Sequence, residues 1–156
     1  MKRNIQSVPA IPALIRALAS HYEQVVIHAA DALGAIGPSA KDALPELQKL
    51  LQSEHPLSRT HAAHDLGLLG LNGGPAVSEL AKALQDKDVN VRREAAGALG
   101  EIGPSAKLAV PELIAALNDD QDVRKAVVEA MRKIRNSGTV KDKAVQPKTG
   151  SIRSAK

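Results

Sequence analysis

The sequence contains no cysteine, phenylalanine or tryptophan, and Tyr22 is its only tyrosine. Without cysteine the chain has neither disulfides nor thiolate metal sites. The scarcity of aromatic side chains disfavours nucleic acids as partners, because proteins that bind single strands stack the bases on aromatic rings. Apolar runs are also short, since Pro9 and Pro12 interrupt residues 5–19, the nearest candidate for a signal peptide or a membrane span. We therefore expect a cytoplasmic protein without a membrane segment.

The excess of positive charge is confined to the C-terminal end of the chain. Residues 1–136 contain sixteen basic and sixteen acidic residues, whereas residues 137–156 contain five basic residues and one acidic residue. The basic character is therefore a property of the last twenty residues and is poor evidence for a nucleic-acid-binding body. These residues show no apolar periodicity and are rich in Gly, Lys, Pro, Ser and Thr. They are predicted to form a disordered basic tail.

A block of ten residues recurs along the chain. Residues 32–41 (ALGAIGPSAK) return as residues 98–107 (ALGEIGPSAK), and a degenerate copy (DLGLLG) occupies residues 65–70. The chain is thus built on a period of 33 residues. A period in this range indicates a solenoid of stacked structural units.

Each period contains two segments with apolar residues at the i, i+3 and i+4 spacing of an amphipathic helix. The first helices are predicted near residues 9–19, 42–52, 76–85 and 109–118, and the second near 23–36, 57–69, 89–102 and 122–135. Glycines at 37, 70 and 103 are expected to end the second helices, since a residue of positive φ commonly follows a helix. The predicted repeat domain spans residues 1–136, with units at about 9–41, 42–74, 75–107 and 108–136.

The paired short helices, the Ala-Leu-Gly-x-Ile-Gly-Pro ending and the Val91-Arg92 pair that opens a second helix resemble the HEAT repeat. The resemblance is nearest to the short HEAT-like repeats of phycobilisome lyases and covers about residues 8–136. It implies an all-α fold, a right-handed α-α superhelix (solenoid) of about four two-helix repeats.

In HEAT repeats an aspartate between the paired helices and an arginine six residues later link neighbouring units. Asp86 and Arg92 match both positions, whereas Arg59 and Arg124 match only the arginine. Ser53 and Asn118 stand where the aspartate would be. We expect Arg59 and Arg124 to find carboxylates elsewhere, at Asp86 and among residues 119–122.

Polar side chains occupy the side of the second helices opposite to the predicted core, which is the concave surface of a HEAT stack. They differ between units while the core repeats, as expected for a binding surface with specificity, although ordinary sequence drift would produce the same pattern. The predicted partner-binding residues are His28, Asp31, His61, His64, Asp65, Glu94, Gly97, Glu101 and Glu129.

The favoured function is a non-catalytic scaffold that binds a protein or peptide through this concave face, without a cofactor. The resemblance leaves open a phycobilin-lyase-like enzyme or chromophore chaperone, for which no residue can be assigned. A third hypothesis is a metal-binding HEAT enzyme that uses His28, Asp31, His61 and His64, with Asp65 beside them. The resembling iron enzyme, deoxyhypusine hydroxylase, uses His-Glu dipeptides, and this chain has none.

The two ends of the predicted stack differ. The N-terminal helix region is apolar on more than one side, with Ile5, Val8, Ile11, Leu14 and Ile15. We therefore expect that this end packs on a partner, on a second copy or on its own N-terminal residues. At the other end, Arg132, Lys133 and Arg135 make the last helix polar, as a terminal cap should be.

Overall fold

The computed structural model describes residues 10–136, which form four pairs of helices. The pairs are α1 (Ala10–Ala17) with α2 (Glu23–Ile36), α3 (Leu44–Leu50) with α4 (Pro56–Leu68), α5 (Val77–Ala83) with α6 (Val89–Ile102), and α7 (Val110–Ala115) with α8 (Gln121–Asn136). The second helix of every pair begins and ends within one residue of its predicted position. The predicted tail, residues 137–156, lies outside the described residues, as do Ile5 and Val8.

The first helices are shorter than predicted at both ends, and a 3₁₀ segment precedes three of them. These segments are Gly37–Ala43, Gly70–Ala76 and Gly103–Ala109. Each begins at a glycine of positive φ, with values of 69°, 58° and 71°. The glycines therefore end the second helices as predicted, but the chain continues in tight 3₁₀ turns before the next α-helix begins. In the described part of the chain no helix is both long and apolar enough to cross a membrane.

The second helices stack on one another in sequence order, whereas the first helices make few contacts with each other. Small residues allow this close approach. A Cβ atom built on Gly67 would lie 2.8 Å from the Cα atom of Ala98, and one on Gly100 would lie 2.8 Å from the Cα atom of Ala130. Because the second helices approach closely and the first helices spread apart, the stack curves with the second helices on its concave side.

Arginines of the second helices link neighbouring units. The guanidinium of Arg59 donates to both carboxylate oxygens of Asp86 at 2.8 Å. Arg92 donates to both oxygens of Asp119, at 2.7 and 2.9 Å. The hydrogen bonds from Arg92 hold the pKa of Asp119 below its ordinary value, although burial opposes them.

The pairing of Arg59 with Asp86 was expected, but Asp119 pairs with Arg92 and not with Arg124. The fourth unit has lost one residue in this loop, so Asp119 occupies the acceptor position and not Asn118. The ladder therefore joins the second unit to the third and the third to the fourth.

Candidate binding groove on the concave face

Three columns of side chains run across the exposed side of the second helices. Successive members of a column lie 33 residues apart, or 32 in the last step, because the fourth unit is one residue shorter. The columns are His28, His61, Glu94 and Ala126; Asp31, His64, Gly97 and Glu129; and Ala35, Leu68, Glu101 and Lys133. They contain every predicted binding residue except Asp65.

Polar pairs connect the columns from one helix to the next. Nδ1 of His61 lies 2.5 Å from Oδ1 of Asp31, which links α4 to α2. Nδ1 of His64 lies 3.3 Å from Oε2 of Glu94, which links α4 to α6. Between α6 and α8, the ammonium of Lys133 donates to Glu101 at 2.5 Å. Each junction between second helices thus carries one exposed polar pair.

A groove of about 270 Å³ opens between α4, α6 and α8. Its floor is made of glycine and alanine, and its walls carry charged side chains. Five predicted binding residues line it: His64, Glu94, Gly97, Glu101 and Glu129. His28, Asp31 and His61 lie outside the groove, towards the N-terminal end of the stack.

Leu68 also lines this groove, although it was not among the predicted binding residues. It occupies the same column as Glu101, and its side chain remains 39% exposed although it is apolar. The alignment of the repeats could have identified Leu68, since its column also contains Glu101 and Lys133. A leucine in a column with exposed charged residues indicates a contact surface and not a core.

Gly97 has no packing reason for lacking a side chain. A Cβ atom built on it would have no heavy atom within 4 Å, whereas those on Gly67 and Gly100 would collide with the next helix. A glycine inside a helix costs about 1 kcal/mol relative to alanine. Because Gly97 lines the groove and has no side chain, the groove is wider than it would be with a larger residue at this position.

Asp65 is not on the concave surface, so its prediction as a partner-binding residue was wrong. Its side chain is 1% exposed and packs against Gly34 at the junction of α4 with α2. The equivalent positions hold Ala32 and Ala98, which identifies this as the small-residue contact between second helices.

The carboxylate of Asp65 has no hydrogen-bond partner for either oxygen within residues 10–136. Burial raises the pKa of Asp65 from 3.8 to about 7; His64 opposes the rise and Asp31 adds to it. An unpaired carboxylate in the junction therefore opposes the packing of the first two units whenever it is charged.

The candidate metal ligands do not converge. Asp31 pairs with His61, and His64 pairs with Glu94 on a different helix junction. Throughout residues 10–136, no three His, Cys, Asp or Glu side chains are grouped so that they could hold a metal ion. The predicted metal constellation is therefore not formed in this arrangement.

The chain is similar to several solved structures. An engineered protein from the Northeast Structural Genomics Consortium aligns with a TM-score of 0.70 and 28% identity, over 83% of this chain and 64% of that chain. A second engineered protein from that consortium aligns with a TM-score of 0.65 and 27% identity, over 80% of this chain and 37% of that chain. This chain therefore spans less than two thirds of either engineered chain.

A natural protein shares the fold over nearly its whole length. The structure of the complex of CpcE and CpcF of phycocyanin lyase from Nostoc sp. PCC7120 contains a chain that aligns with a TM-score of 0.64 and 21% identity. The alignment covers 91% of this chain and 93% of that chain. At this identity the likeness shows the fold alone.

Sequence comparison identifies the family. No curated protein sequence matches the chain. The family model described as HEAT repeats matches residues 11–77 and again residues 68–132, which together cover well over half of the sequence. The resemblance carried by the 33-residue period is thereby confirmed: the chain belongs to the HEAT-repeat family.

Proposed function

We propose that the chain is a non-catalytic protein–protein interaction module that binds a segment of its partner in the concave groove. The observation that supports this proposal is the open space beside Gly97. A glycine in the interior of a helix weakens the helix, and a Cβ atom added to Gly97 would have no heavy atom within 4 Å, so the missing side chain leaves space in the groove.

The groove suits a segment that carries small apolar side chains flanked by polar groups. Its glycine and alanine floor allows a partner backbone to approach closely, and Leu68 offers an apolar contact at one edge. Around it lie Glu94, Glu101 and Glu129, each already paired within the chain. An apolar centre with a polar rim is the usual anatomy of a protein interface.

The stack also lowers the cost of binding. Its second helices are held at fixed spacing by glycine–alanine contacts and by the arginine ladder. A surface that is ordered before binding loses little conformational freedom when the partner arrives, so more of the contact energy appears as affinity.

Filling the groove tests this proposal. Gly97→Leu places a side chain in open space, so the fold is retained while the groove is blocked. Ala115→Leu is the matched control, because it adds the same side chain at an exposed position of α7, away from the groove. Both variants are first checked by circular dichroism for unchanged helicity.

Affinity capture with mass spectrometry then compares the two variants with the wild type. We expect at least one protein that the wild type and Ala115→Leu enrich and that Gly97→Leu loses. If Gly97→Leu captures the same proteins as the control, the concave groove is not the binding site.

The whole-length likeness to a chain of phycocyanin lyase favours one alternative, a lyase-type enzyme or a chromophore chaperone that handles a bilin. Such a protein would change the absorption spectrum of a bilin when mixed with that bilin and its acceptor protein. An unchanged spectrum would eliminate this alternative and leave the interaction module.

A further inference from the structure

A second apolar surface lies at the C-terminal end of the stack, between α7 and α8 on the side away from α5 and α6. It forms a groove of about 630 Å³. Its apolar lining comes from Val110 and Leu117 on the α7 side and from Val128, Met131 and Ile134 on α8. Val128 is 59% exposed, although it is a large apolar residue.

In the other three units this surface is covered by the following unit. Ala30, Ala63 and Ala96 occupy the position of Val128, and each is 0% exposed because the next helix pair packs on it. The groove beside α8 is thus the place where a further helix would lie. This makes a helix the natural occupant.

That occupant is not another unit stacked in the same way. Close stacking requires glycine at positions 34, 67 and 100, and the equivalent residue of α8 is Arg132. Alanine is likewise replaced by the larger Val128. A further repeat, whether from a second copy or from another HEAT protein, cannot approach α8 as α8 approaches α6.

The charge of the rim indicates what does fit. Lys107, Arg132 and Arg135 border the groove, and no acidic side chain lines it. Glu129 pairs with Arg132 at 2.6 Å, whereas no carboxylate of residues 10–136 pairs with Lys107 or Arg135. The chain's own C-terminal segment carries five basic residues and one acidic residue, so its charge repels it from this rim.

We propose that the C-terminal face of the stack binds an amphipathic helix of another protein, with apolar residues at i, i+3/i+4 and i+7 and acidic residues on both flanks. The apolar side of such a helix would cover Val128, Met131 and Leu117, as in other helix-in-groove complexes. Its carboxylates would lie beside Lys107 and Arg135. This surface is separate from the concave groove, so the two sites serve different partners or two segments of one partner.

The test uses the full chain and a fluorescent synthetic peptide in which leucines follow that spacing and glutamates flank them. Binding is measured by anisotropy. Two control peptides accompany it: one carries lysine in place of every glutamate, and one has the same composition in scrambled order. The scrambled peptide keeps the charge but has no apolar face, so it measures the electrostatic attraction to the basic rim and to the basic C-terminal residues without the apolar contact.

We expect the acidic amphipathic peptide to bind about tenfold more tightly than either control, which corresponds to about 1.4 kcal/mol. Val128→Asp, at an exposed position that tolerates a polar residue, should remove this preference. The double variant Lys107→Glu/Arg135→Glu should weaken binding about tenfold, while Arg124→Glu, an exposed charge of α8 outside the groove, should leave it unchanged. Salt should weaken binding to the wild type and act less on the double variant.

Three results would overturn the proposal. One is equal binding of the amphipathic and scrambled acidic peptides. Another is unchanged peptide binding by Val128→Asp. The third is a dimer in sedimentation that Val128→Asp dissociates, because a second copy would then occupy the face. The concave-groove variant Gly97→Leu should bind the peptide normally, so failure here is distinguishable from failure of the proposed function.

Discussion

Replacing Asp65 by alanine should stabilise the protein, although the change removes a side chain from a buried site. Asp65 lies in the α2–α4 junction, where the corresponding residue of the α4–α6 junction is Ala98. Alanine therefore restores the contact with Gly34 that the rest of the stack uses. It also removes two carboxylate oxygens that have no hydrogen-bond partner among the described residues.

The magnitude follows from the pKa of Asp65, which burial raises from 3.8 to about 7. Between these values the folded protein holds a proton that the unfolded chain has released. Stability therefore falls as the pH rises through this window, and the loss is complete above pH 7. Since one pKa unit corresponds to about 1.36 kcal/mol, the loss reaches up to about 4 kcal/mol, a large share of a typical domain's 5–15 kcal/mol.

Urea unfolding followed by circular dichroism, at intervals from pH 4 to pH 8, measures this directly. Wild-type stability should decline across the interval, and Asp65→Ala should be similar at pH 4 and more stable by about 2–4 kcal/mol at pH 8. Asp42→Ala is the matched control, since Asp42 is exposed. The reasoning is refuted if Asp65→Ala keeps the wild-type decline or is the less stable protein at pH 8.

Two further comparisons test other contacts by the same unfolding assay at neutral pH. Gly97→Ala should stabilise by about 0.5–1 kcal/mol through helix propensity, whereas Gly100→Ala, three residues away, should destabilise because its Cβ meets the next helix; equal effects would contradict the packing argument. Asp86→Ala should cost up to about 3–5 kcal/mol, because the buried Arg59 loses its carboxylate partner and keeps only its hydrogen bonds to two backbone carbonyls. Asp119→Ala should cost less, since its arginine is more exposed, and the opposite order would contradict the burial argument.

Much of the fold could be predicted from the sequence, because the repeat contains glycines that end the second helices and apolar residues at helical spacing. Gly37, Gly70 and Gly103 adopt positive φ, and the second helices have nearly their predicted bounds. The first helices were predicted too long at both ends, because periodicity of apolar residues does not distinguish a turn or a 3₁₀ segment from the terminal turn of an α-helix. The pairing of Asp119 with Arg92 was not predicted, because the sequence does not show at which position of the loop the one-residue deletion lies.

The binding surface was less predictable. The columns on the second helices followed from helical periodicity, but Asp65 was assigned by its charge and not by its place in the repeat. Its equivalents, Ala32 and Ala98, pointed to a small-residue contact between helices. Gly97 was placed correctly on the concave face. That a side chain at this position would meet no neighbouring atom depends on the spacing of neighbouring helices, which the sequence does not display.

The junctions between units differ in strength, and this difference bears on function. Arginine–carboxylate pairs join the second unit to the third and the third to the fourth. At the first junction Val26 stands where the arginine would be, Ser53 stands at the aspartate position, and Asp65 is buried without a partner. In repeat proteins stability is a sum of unit and junction contributions, so the weakest junction opens first.

The concave groove is built by α4, α6 and α8, which are the helices that the ladder joins. The groove therefore lies in the rigid part of the stack, and loosening of the first unit leaves it intact.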